Sequence, residues 1–468
     1  MIPLTLAEVA TVVDGVVHGD PTLTVTGPAY VDTRAATDGG LFVAVVGERV
    51  DGHDYAAGAH AVLGSRPTEA PTVVVADPVV ALGRLARHVL DRLDVPVLAL
   101  TGSQGKTGTK DYLAHVLAAA GPTVATAANN NNEIGVPLTV LRADATTAYL
   151  VVEMGARGIG HIAYLCDIAP PSVAAVLNVG TAHIGEFGSR EAIAEAKGEI
   201  VEALGVDGTA VLNADDDLTS AMTSRTRART LTFGAEGESA GDVTWRGLEL
   251  DALGRPTVEL GHDGAWRRVS LTQTGAHQVA NAAAAVAMAL AVGRTFDDAV
   301  DALATATSAS RWRMELHERA DGLLVVNDAY NANPASMVAA IDALAAIGER
   351  AGRRTVAVLG EMRELGPDAE AGHREVGRSA AAHGTDVVVV VGEPARGIAD
   401  GLAERDDWHG EVIVTAGRDD ALAWLRENAV ATDVVLVKAS RGAALEVVAD
   451  GLLDADPTDP TTGVVPTP

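Results

Sequence analysis

The stretch VPVLALTGSQGKTGTKDYLAHVLAAAG, residues 95–121, decides how this chain is interpreted. It predicts a buried strand, a glycine-rich turn and a helix that ends in glycine. Such a turn directs backbone N–H groups and a helix N-terminus at an anion. The spacing is shorter than the common phosphate-loop pattern, because Leu100 stands where that pattern requires its first glycine. Lys106 offers a charge for outer phosphates and Thr107 a hydroxyl for Mg²⁺. The stretch predicts a nucleotide site, with an ordinary glycine-rich turn as the alternative.

Composition excludes several classes of protein. The 468 residues allow two to four domains, and acidic residues outnumber basic ones by 28 (63 against 35). An acidic surface repels nucleic acid and anionic membranes, so we expect neither as a partner. Cys166 is the only cysteine, which excludes a disulfide framework. The N-terminus does not resemble a signal peptide, and apolar runs are too short to span a membrane. We therefore expect a soluble, cytoplasmic protein.

The order of strand-like and helix-like segments predicts an α/β protein of three domains with mostly parallel sheets. We place an N-terminal domain at 1–92, with helices near 5–13, 54–62 and 78–93. A central domain at 93–312 includes a hairpin-like region at 242–271. A C-terminal Rossmann-like domain spans 313–455, with strands LLVVND, TVAVLGEM, DVVVVVG, EVIVT and DVVLVKAS. It has no G-x-G-x-x-G after its first strand. The Pro/Thr-rich tail, 456–468, is expected to be disordered.

Two polar residues follow buried strands near the predicted phosphate loop. Glu153 ends the strand of YLVVEMG, and His183 follows the strand of SVAAVLNVG. Open α/β sheets present ligand groups at the carboxyl ends of strands, so both residues are candidate metal ligands. The alternatives are a salt-bridge partner for Glu153 and a structural role for His183.

Lys197 lies on the apolar face of a predicted helix in SREAIAEAKGEIVEAL, where Ser189 is the expected N-cap. One interpretation is a lysine that extends its stem along the edge of the core. The other is a desolvated lysine with a lowered pKa, and therefore a neutral amine. A neutral amine can react with CO₂ to form a carbamate, which is an anionic metal ligand.

Together these stretches resemble the Mur ligase family. TGSQGKT matches the family's short loop, T-G-S/T-x-G-K-[ST], although Gly108 stands where Thr or Ser is common. Glu153, His183 and Lys197 correspond to the family's metal ligands, with the lysine carbamylated. The runs NNNNEIGVPLTVL, VVEMGARGIGHI and NDAYNANPASM are similar to the members that join D-Ala-D-Ala to UDP-MurNAc-tripeptide. His161 departs from the family pattern Asn-x-x-Gly-Glu-Ile.

The resemblance implies a reaction and a set of site residues. ATP would phosphorylate the tripeptide carboxylate, and the amine of D-Ala-D-Ala would attack the acyl phosphate to give UDP-MurNAc-pentapeptide, in a monomer that uses two Mg²⁺ ions. The ATP contacts would be Gly102, Ser103, Gln104, Gly105, Lys106, Thr107, Asn281 (at adenine), Arg313 and Asp328. The metal ligands would be Thr107, Glu153, His183 and carbamylated Lys197. The substrate contacts would be Thr33 and Arg34 for the UDP moiety, with Asn331 and Asn333 for the dipeptide.

Several alternatives remain open at this point. Asn331 and Asn333 could simply form an Asn/Pro turn that starts a helix. A sister ligase that adds a single amino acid, or a folylpolyglutamate synthase, is disfavoured by DAYNANP and EIGVPLT. A non-catalytic nucleotide-binding regulator would not need Lys106, Glu153, His183 and Lys197 together. A simple P-loop kinase would need neither a UDP-sugar domain nor Lys197.

Overall fold

The computed structural model describes residues 1–47, 50–180, 187–237, 241–307 and 310–454. Three large sheets dominate it, and the strands of each come from one continuous part of the chain. The chain alternates strands and helices, and most neighbouring strands are parallel, as the sequence predicts. Within the described ranges, none of the helices combines the length and hydropathy needed to cross a membrane.

The first sheet has five strands, of which only the first pair is antiparallel. In spatial order they are Val16–His18, Thr72–Val74, Ala61–Gly64, Leu41–Val43 and Ala29–Tyr30. A small antiparallel pair, Leu4–Thr5 with Thr24–Val25, lies beside them. The accompanying helices are Leu6–Val13, Pro78–Leu90 and the 3₁₀ turns Thr33–Ala35 and Gly52–Tyr55.

The helix predicted near 54–62 is wrong. The structure has the 3₁₀ turn Gly52–Tyr55 followed by the strand Ala61–Gly64. Asp51 caps the turn through its side chain, which accepts from the backbone of His53. Gly58, at φ +78°, then reverses the chain in a conformation that helices do not contain. The apolar run that remains is long enough only for a buried strand.

The second sheet has nine strands and carries the phosphate loop. In spatial order they are Ala265–Ser270, Pro256–His262, Val243–Leu250, Arg229–Ala235, Thr209–Asn213, Val173–Val176, Val97–Thr101, Tyr149–Glu153 and Thr123–Ala125. The first three form antiparallel pairs, which confirms the predicted hairpin region, and all other pairs are parallel. The helices are Lys106–Ala118, Gly135–Val140, His161–Ile168, Arg190–Glu202, Asp217–Ser220, the 3₁₀ helix Ala221–Arg225, Gln278–Ala291 and Phe296–Leu303.

Successive side chains along the central strands point to opposite faces of the sheet, so the core consists of two layers, one on each face. Val97 and Ala99 face one layer, while Leu98 and Leu100 face the other. The Ala-rich helix Gln278–Ala291 fills the second layer, because its small side chains let it lie close to the sheet. The first layer extends into the N-terminal part of the chain through the helix Pro78–Leu90. These layers hold the strand Val97–Thr101 rigidly beneath the loop that follows it.

The third sheet has six strands, and only its first pair is antiparallel. In spatial order they are Glu315–Glu318, Leu324–Asn327, Asp433–Lys438, Arg354–Leu359, Val387–Val391 and Glu411–Thr415. The last five are the strands that the sequence predicts. Apolar clusters cover both faces of the sheet. The helices are Pro334–Ala351, Ala369–Ala382, Gly397–Ala403, Arg418–Asn428 and Glu446–Leu453, with 3₁₀ turns Gly366–Asp368, Glu393–Ala395 and Arg441–Ala443.

Candidate active site

The phosphate loop, residues 102–105, joins the strand Val97–Thr101 to the helix Lys106–Ala118. Two parallel strands flank that strand in the sheet, Val173–Val176 on one side and Tyr149–Glu153 on the other. Their carboxyl ends therefore meet at the loop. This sheet edge is where open α/β folds bind ligands.

The loop has the backbone geometry that a phosphate cradle needs. Gly105 adopts φ +79°, and a Cβ at this position would overlap the amide oxygen of Asn281. Glycine is therefore required both by conformation and by space. Lys106 folds back across the loop, and its Nζ donates to the carbonyl of Gly102 at 2.6 Å. The ammonium thus stays over the cradle, where a phosphate could replace the carbonyl.

Hydrogen bonds from Asn178, which we did not predict, hold the phosphate loop in place. The Asn178 side chain accepts from the Gln104 N–H at 2.9 Å and donates to the Gln104 carbonyl at 3.1 Å. The Ser103 N–H donates to the Asn178 carbonyl, and the Ser103 hydroxyl accepts from the Gly180 N–H at 2.9 Å. The sequence signal was available, since LNVG places an asparagine just beyond the strand that neighbours the loop strand.

Glu153 is buried beside the first turn of the loop helix. One carboxylate oxygen accepts from the Thr107 hydroxyl at 3.0 Å, and the other accepts from the Asn131 amide at 2.8 Å. Its backbone N–H donates to the Thr126 hydroxyl. Among the parts of the chain that are described, no three His, Cys, Asp or Glu side chains cluster as a complete metal site. A cation here would rest on Glu153 and Thr107 with oxygens from the nucleotide and water, a donor set that suits Mg²⁺.

Lys197 is buried in the helix Arg190–Glu202, which begins at the predicted N-cap Ser189. Burial holds the pKa of the Lys197 ammonium well below its usual range, and the nearby charge of Lys106 lowers it further. Burial therefore disfavours the charged form of Lys197, and the two lysines lie within electrostatic reach of each other. The predicted partner His183 lies outside the described residues.

Arg313 brings a distant part of the chain within electrostatic reach of the loop. Burial lowers the pKa of the Lys106 ammonium; the charge of Glu153 opposes this and that of Arg313 adds to it. The guanidinium carbon of Arg313 lies 4.1 Å from the ring centre of Tyr330. Its Nε is buried and has no hydrogen-bond partner among the residues that the structure describes. Tyr330, which sequence reasoning missed, also contacts the backbone of Asn129 in the central sheet region.

The other C-terminal candidates are held in local contacts. The Asp328 carboxylate pairs with Lys438 at 2.6 Å and accepts from the Met314 N–H at 3.1 Å. Lys438 also donates to the Asn331 carbonyl at 2.8 Å. Asn333 is the N-cap of the helix Pro334–Ala351, where it forms a capping box with Ser336. Asn333 therefore starts a helix, which was the alternative interpretation of this stretch. The contacts of Asn331 and Asn333 with the dipeptide stay predictions.

Asn281 lies beneath the loop helix. Its side chain accepts from the Thr109 hydroxyl at 3.3 Å and donates to Gln278 at 3.0 Å. It also packs against Gly105 and Gly108, where added Cβ atoms would meet its amide group. The observed contacts support the loop. Contact with adenine stays a prediction.

The N-terminal candidates lie in the 3₁₀ turn Thr33–Ala35, on the first sheet's side of the molecule. The Arg34 side chain is 90% exposed and pairs with Asp32 at 2.6 Å. Hydrogen bonds from Arg34 lower the pKa of the Asp32 carboxyl to about 2. An exposed arginine can exchange this neighbour for a phosphate at little cost.

His161, the departure from the family pattern, pairs with an acidic residue of the asparagine-rich loop. Its Nε2 lies 3.2 Å from the Glu133 carboxylate, and its Nδ1 accepts from the Arg157 N–H at 3.3 Å. His161 thereby links the start of its helix to the loop that also carries Asn131.

Comparison with known proteins agrees with this arrangement. The Mur ligase middle domain family matches residues 100–289, and the Mur ligase glutamate ligase domain family matches residues 312–441. A Mycobacterium tuberculosis protein named UDP-N-acetylmuramoyl-tripeptide–D-alanyl-D-alanine ligase is 43% identical over 97% of this chain and 99% of its own length. A crystal structure of MurF from Acinetobacter baumannii, 33% identical, superposes with a TM-score of 0.85 over 97% of this chain and 99% of its own. The crystal structure of MurF ligase from Thermotoga maritima in complex with ADP is 32% identical and superposes with a TM-score of 0.76, over 91% of this chain and 97% of its own. The chain belongs to the Mur ligase family.

Proposed function

We propose that this chain is the ATP-dependent ligase that joins D-Ala-D-Ala to UDP-MurNAc-tripeptide in peptidoglycan precursor synthesis. The observation that carries this proposal is the convergence of charge on the phosphate loop. Glu153, Lys197 and Arg313 come from separate parts of the chain, and each interacts electrostatically with Lys106. The relatives named for this reaction, which match the chain from end to end, supply the substrates.

The reaction proceeds in two transfers. The carboxylate of the tripeptide attacks the γ-phosphorus of ATP, forming an acyl phosphate and releasing ADP. The amine of D-Ala-D-Ala then attacks the acyl carbon, loses a proton, and expels phosphate from the tetrahedral intermediate. Neither step needs a covalent bond to the protein, so positioning and charge neutralisation supply the catalysis.

The loop and the two flanking strand ends would hold ATP. Gly102 and Gly105 would offer backbone N–H groups, and Lys106 would neutralise charge on the outer phosphates. Ser103 and Gln104, whose N–H groups donate to Asn178, would contact ATP from a loop held in shape by those bonds. Thr107 and Glu153 would hold a Mg²⁺, since they already lie 3.0 Å apart and are hard oxygen donors. Bound there, the ion would lower the charge on the transferring phosphoryl group. Arg313 is suited to a phosphate because its buried Nε lacks a partner within the described ranges.

A second Mg²⁺ would be held by His183 and by Lys197 in carbamylated form. The buried position of Lys197 supports this role, because a neutral amine reacts with CO₂ whereas an ammonium does not. An unmodified ammonium beside Lys106 would place two like charges in one crevice. The carbamate replaces that repulsion with an anion that accepts the metal.

Three domains would divide the substrates. Residues 1–92 would bind the UDP moiety through Thr33 and Arg34, and residues 93–312 would bind ATP, with Asn281 near adenine. Residues 313–455 would complete the site with Arg313, Asp328, Asn331 and Asn333. We further propose that the enzyme works as a cytoplasmic monomer, where its nucleotide-linked substrate and ATP are found.

Phosphate release with defined acceptors tests this function. Purified protein with ATP, Mg²⁺ and UDP-MurNAc-tripeptide should release phosphate when D-Ala-D-Ala is added, and not with single amino acids. Lys106→Ala serves as the matched inactive control. Turnover with a UDP-MurNAc-dipeptide and one amino acid would instead identify a sister ligase. Turnover with a folate and glutamate would identify a folylpolyglutamate synthase.

A further inference from the structure

The helix that carries Lys197 is gripped by an arginine from the next helical segment. Arg225, at the end of the 3₁₀ helix Ala221–Arg225, donates to the carbonyl of Ala194 at 3.0 Å and to that of Glu195 at 2.9 Å. Its Nε donates to the Glu202 carboxylate at 2.8 Å. One guanidinium therefore spans two turns of the helix Arg190–Glu202. A planar fork with several donors can fix both the rotation and the axial position of the helix.

Gly198 makes this grip possible. A Cβ at this position would overlap Nη1 and Cζ of Arg225, at separations that real Cβ atoms do not adopt. Glycine is normally unfavourable in a helix interior, so a steric reason for it is informative. The guanidinium occupies the space that a side chain would fill, directly beside Lys197 in the chain.

Glu199, the residue that follows Gly198 in the chain, is also held by hydrogen bonds. The Glu199 carboxylate accepts from the Gly160 N–H at 2.5 Å and from the Ala163 N–H at 2.9 Å. These groups form the start of the helix His161–Ile168, whose positive dipole end favours a carboxylate. The two residues after Lys197 thus fix its helix from two directions.

We propose that Arg225, acting through Gly198, is a positioning residue that sets Lys197 against the phosphate loop. This rests on the proposed function, in which Lys197 belongs to the reaction site. A lysine amine stands at the end of a four-carbon stem, so a small rotation of the helix moves it far. Misplacement of about 1 Å can cost roughly a hundredfold in rate.

The test compares three variants with wild type. Arg225→Ala should lower kcat by about 10- to 100-fold, with KM for ATP and for UDP-MurNAc-tripeptide changed by no more than about twofold. The kcat of Arg225→Lys should fall between those of wild type and Arg225→Ala, because an ammonium lacks the planar fork that bonds both carbonyls and the Glu202 carboxylate at once. Gly198→Ala should match Arg225→Ala, because its methyl group expels the guanidinium. Arg87→Ala is the control, since Arg87 also donates to a backbone carbonyl, that of Asp167 at 2.9 Å, but away from the loop.

Thermal melting gives a second readout that does not depend on activity. Gly198→Ala should lower the melting temperature in the wild-type background. In the Arg225→Ala background, Gly198→Ala should instead raise the melting temperature, because the methyl group has space there and alanine favours the helix. If Arg225→Ala does not fold, Arg225→Lys and Gly198→Ala carry the test.

Wild-type kcat in folded Arg225→Ala or in Gly198→Ala would overturn the proposal, as would a Gly198→Ala effect of the same sign in both backgrounds. These outcomes differ from failure of the proposed function. That failure would be seen as a wild-type protein without D-Ala-D-Ala-dependent turnover, or as full turnover in Lys197→Ala.

Discussion

Removing Asp111 should strongly destabilise the protein around the phosphate-loop helix, because it breaks a buried ion pair. Lys110 and Asp111 have side chains that are 4% and 3% exposed, with Nζ and Oδ1 2.6 Å apart. Lys110 also donates to the Thr126 carbonyl at 3.0 Å and to the Ser310 hydroxyl at 3.2 Å. Asp111 accepts from both the N–H and the hydroxyl of Ser310. The pair thereby ties the loop helix to the segment that leads to Arg313.

The magnitude follows from burial. Breaking one partner of a buried pair costs about 3–5 kcal/mol, because the remaining charge has no counterion. We expect Asp111→Ala to lose about 4 kcal/mol. With a urea dependence of about 2–3 kcal/mol per molar, the unfolding midpoint should fall by roughly 1.3–2 M.

The assay measures urea unfolding through the labelling of Cys166 by a thiol reagent. Cys166 is buried in the core beside the nine-stranded sheet and reacts only once it is exposed. Asp91→Ala is the matched control. It breaks an ion pair with Arg87 that is half exposed and should therefore cost less than about 1 kcal/mol. Replacing the buried pair together, as Lys110→Met with Asp111→Leu, should restore most of the stability.

Activity separates the two roles of the pair. The double replacement removes the bonds that tie Ser310 to Lys110 and Asp111, so ADP formation should remain low although the fold is stable. A midpoint shift in Asp111→Ala no larger than in Asp91→Ala would refute the reasoning about burial. Normal ADP formation in the double variant would refute the role in placing Arg313.

Other predictions test the site and the core. Lys106→Ala should abolish ADP formation while calorimetry still detects UDP-MurNAc-tripeptide; lost binding in the folded variant would contradict the division between domains. Lys197→Arg should be as inactive as Lys197→Ala, and only the alanine variant should recover turnover with added acetate or formate; near-normal turnover in Lys197→Arg would make the residue structural. Burial raises the pKa of the Cys166 thiol to about 12, so the protonated, unreactive form should persist from pH 7 to 9. A thiol reagent should label Cys166 over this range only after unfolding, and labelling of the native protein at pH 8 would contradict its burial.

The local patterns of the sequence were sufficient for most of the fold. Five C-terminal strands, the hairpin region and the helix that starts after Ser189 follow from apolar periodicity and capping residues, which act over a few positions. The helix wrongly predicted near 54–62 also resulted from local patterns. Its apolar residues alone resemble a helix, but the cap at Asp51 and the positive φ of Gly58 divide them into a turn and a strand.

The positions of the phosphate loop, Glu153 and Lys197 at a strand end, a strand end and a buried helix face were also predictable, because each is defined by its own neighbours in the chain; their roles stay predictions. The sequence did place Asn178 just beyond a strand, but not its contact with the loop, and nothing local indicated Tyr330 or Arg225. Each acts through a partner that is distant in sequence, such as Gln104 for Asn178 or Ala194 for Arg225.

The sequence by itself thus indicated candidates for phosphate binding, metal binding and carbamate formation, since the chemistry of a side chain and its nearest neighbours is local. Only the tertiary structure decided which of them meet. Glu153 reaches Thr107 because its strand pairs with the strand that precedes the Thr107 helix. Arg313, far along the chain, comes within electrostatic reach of Lys106. The lowering of the Lys197 pKa likewise depends on burial by parts of the chain that no local pattern specifies.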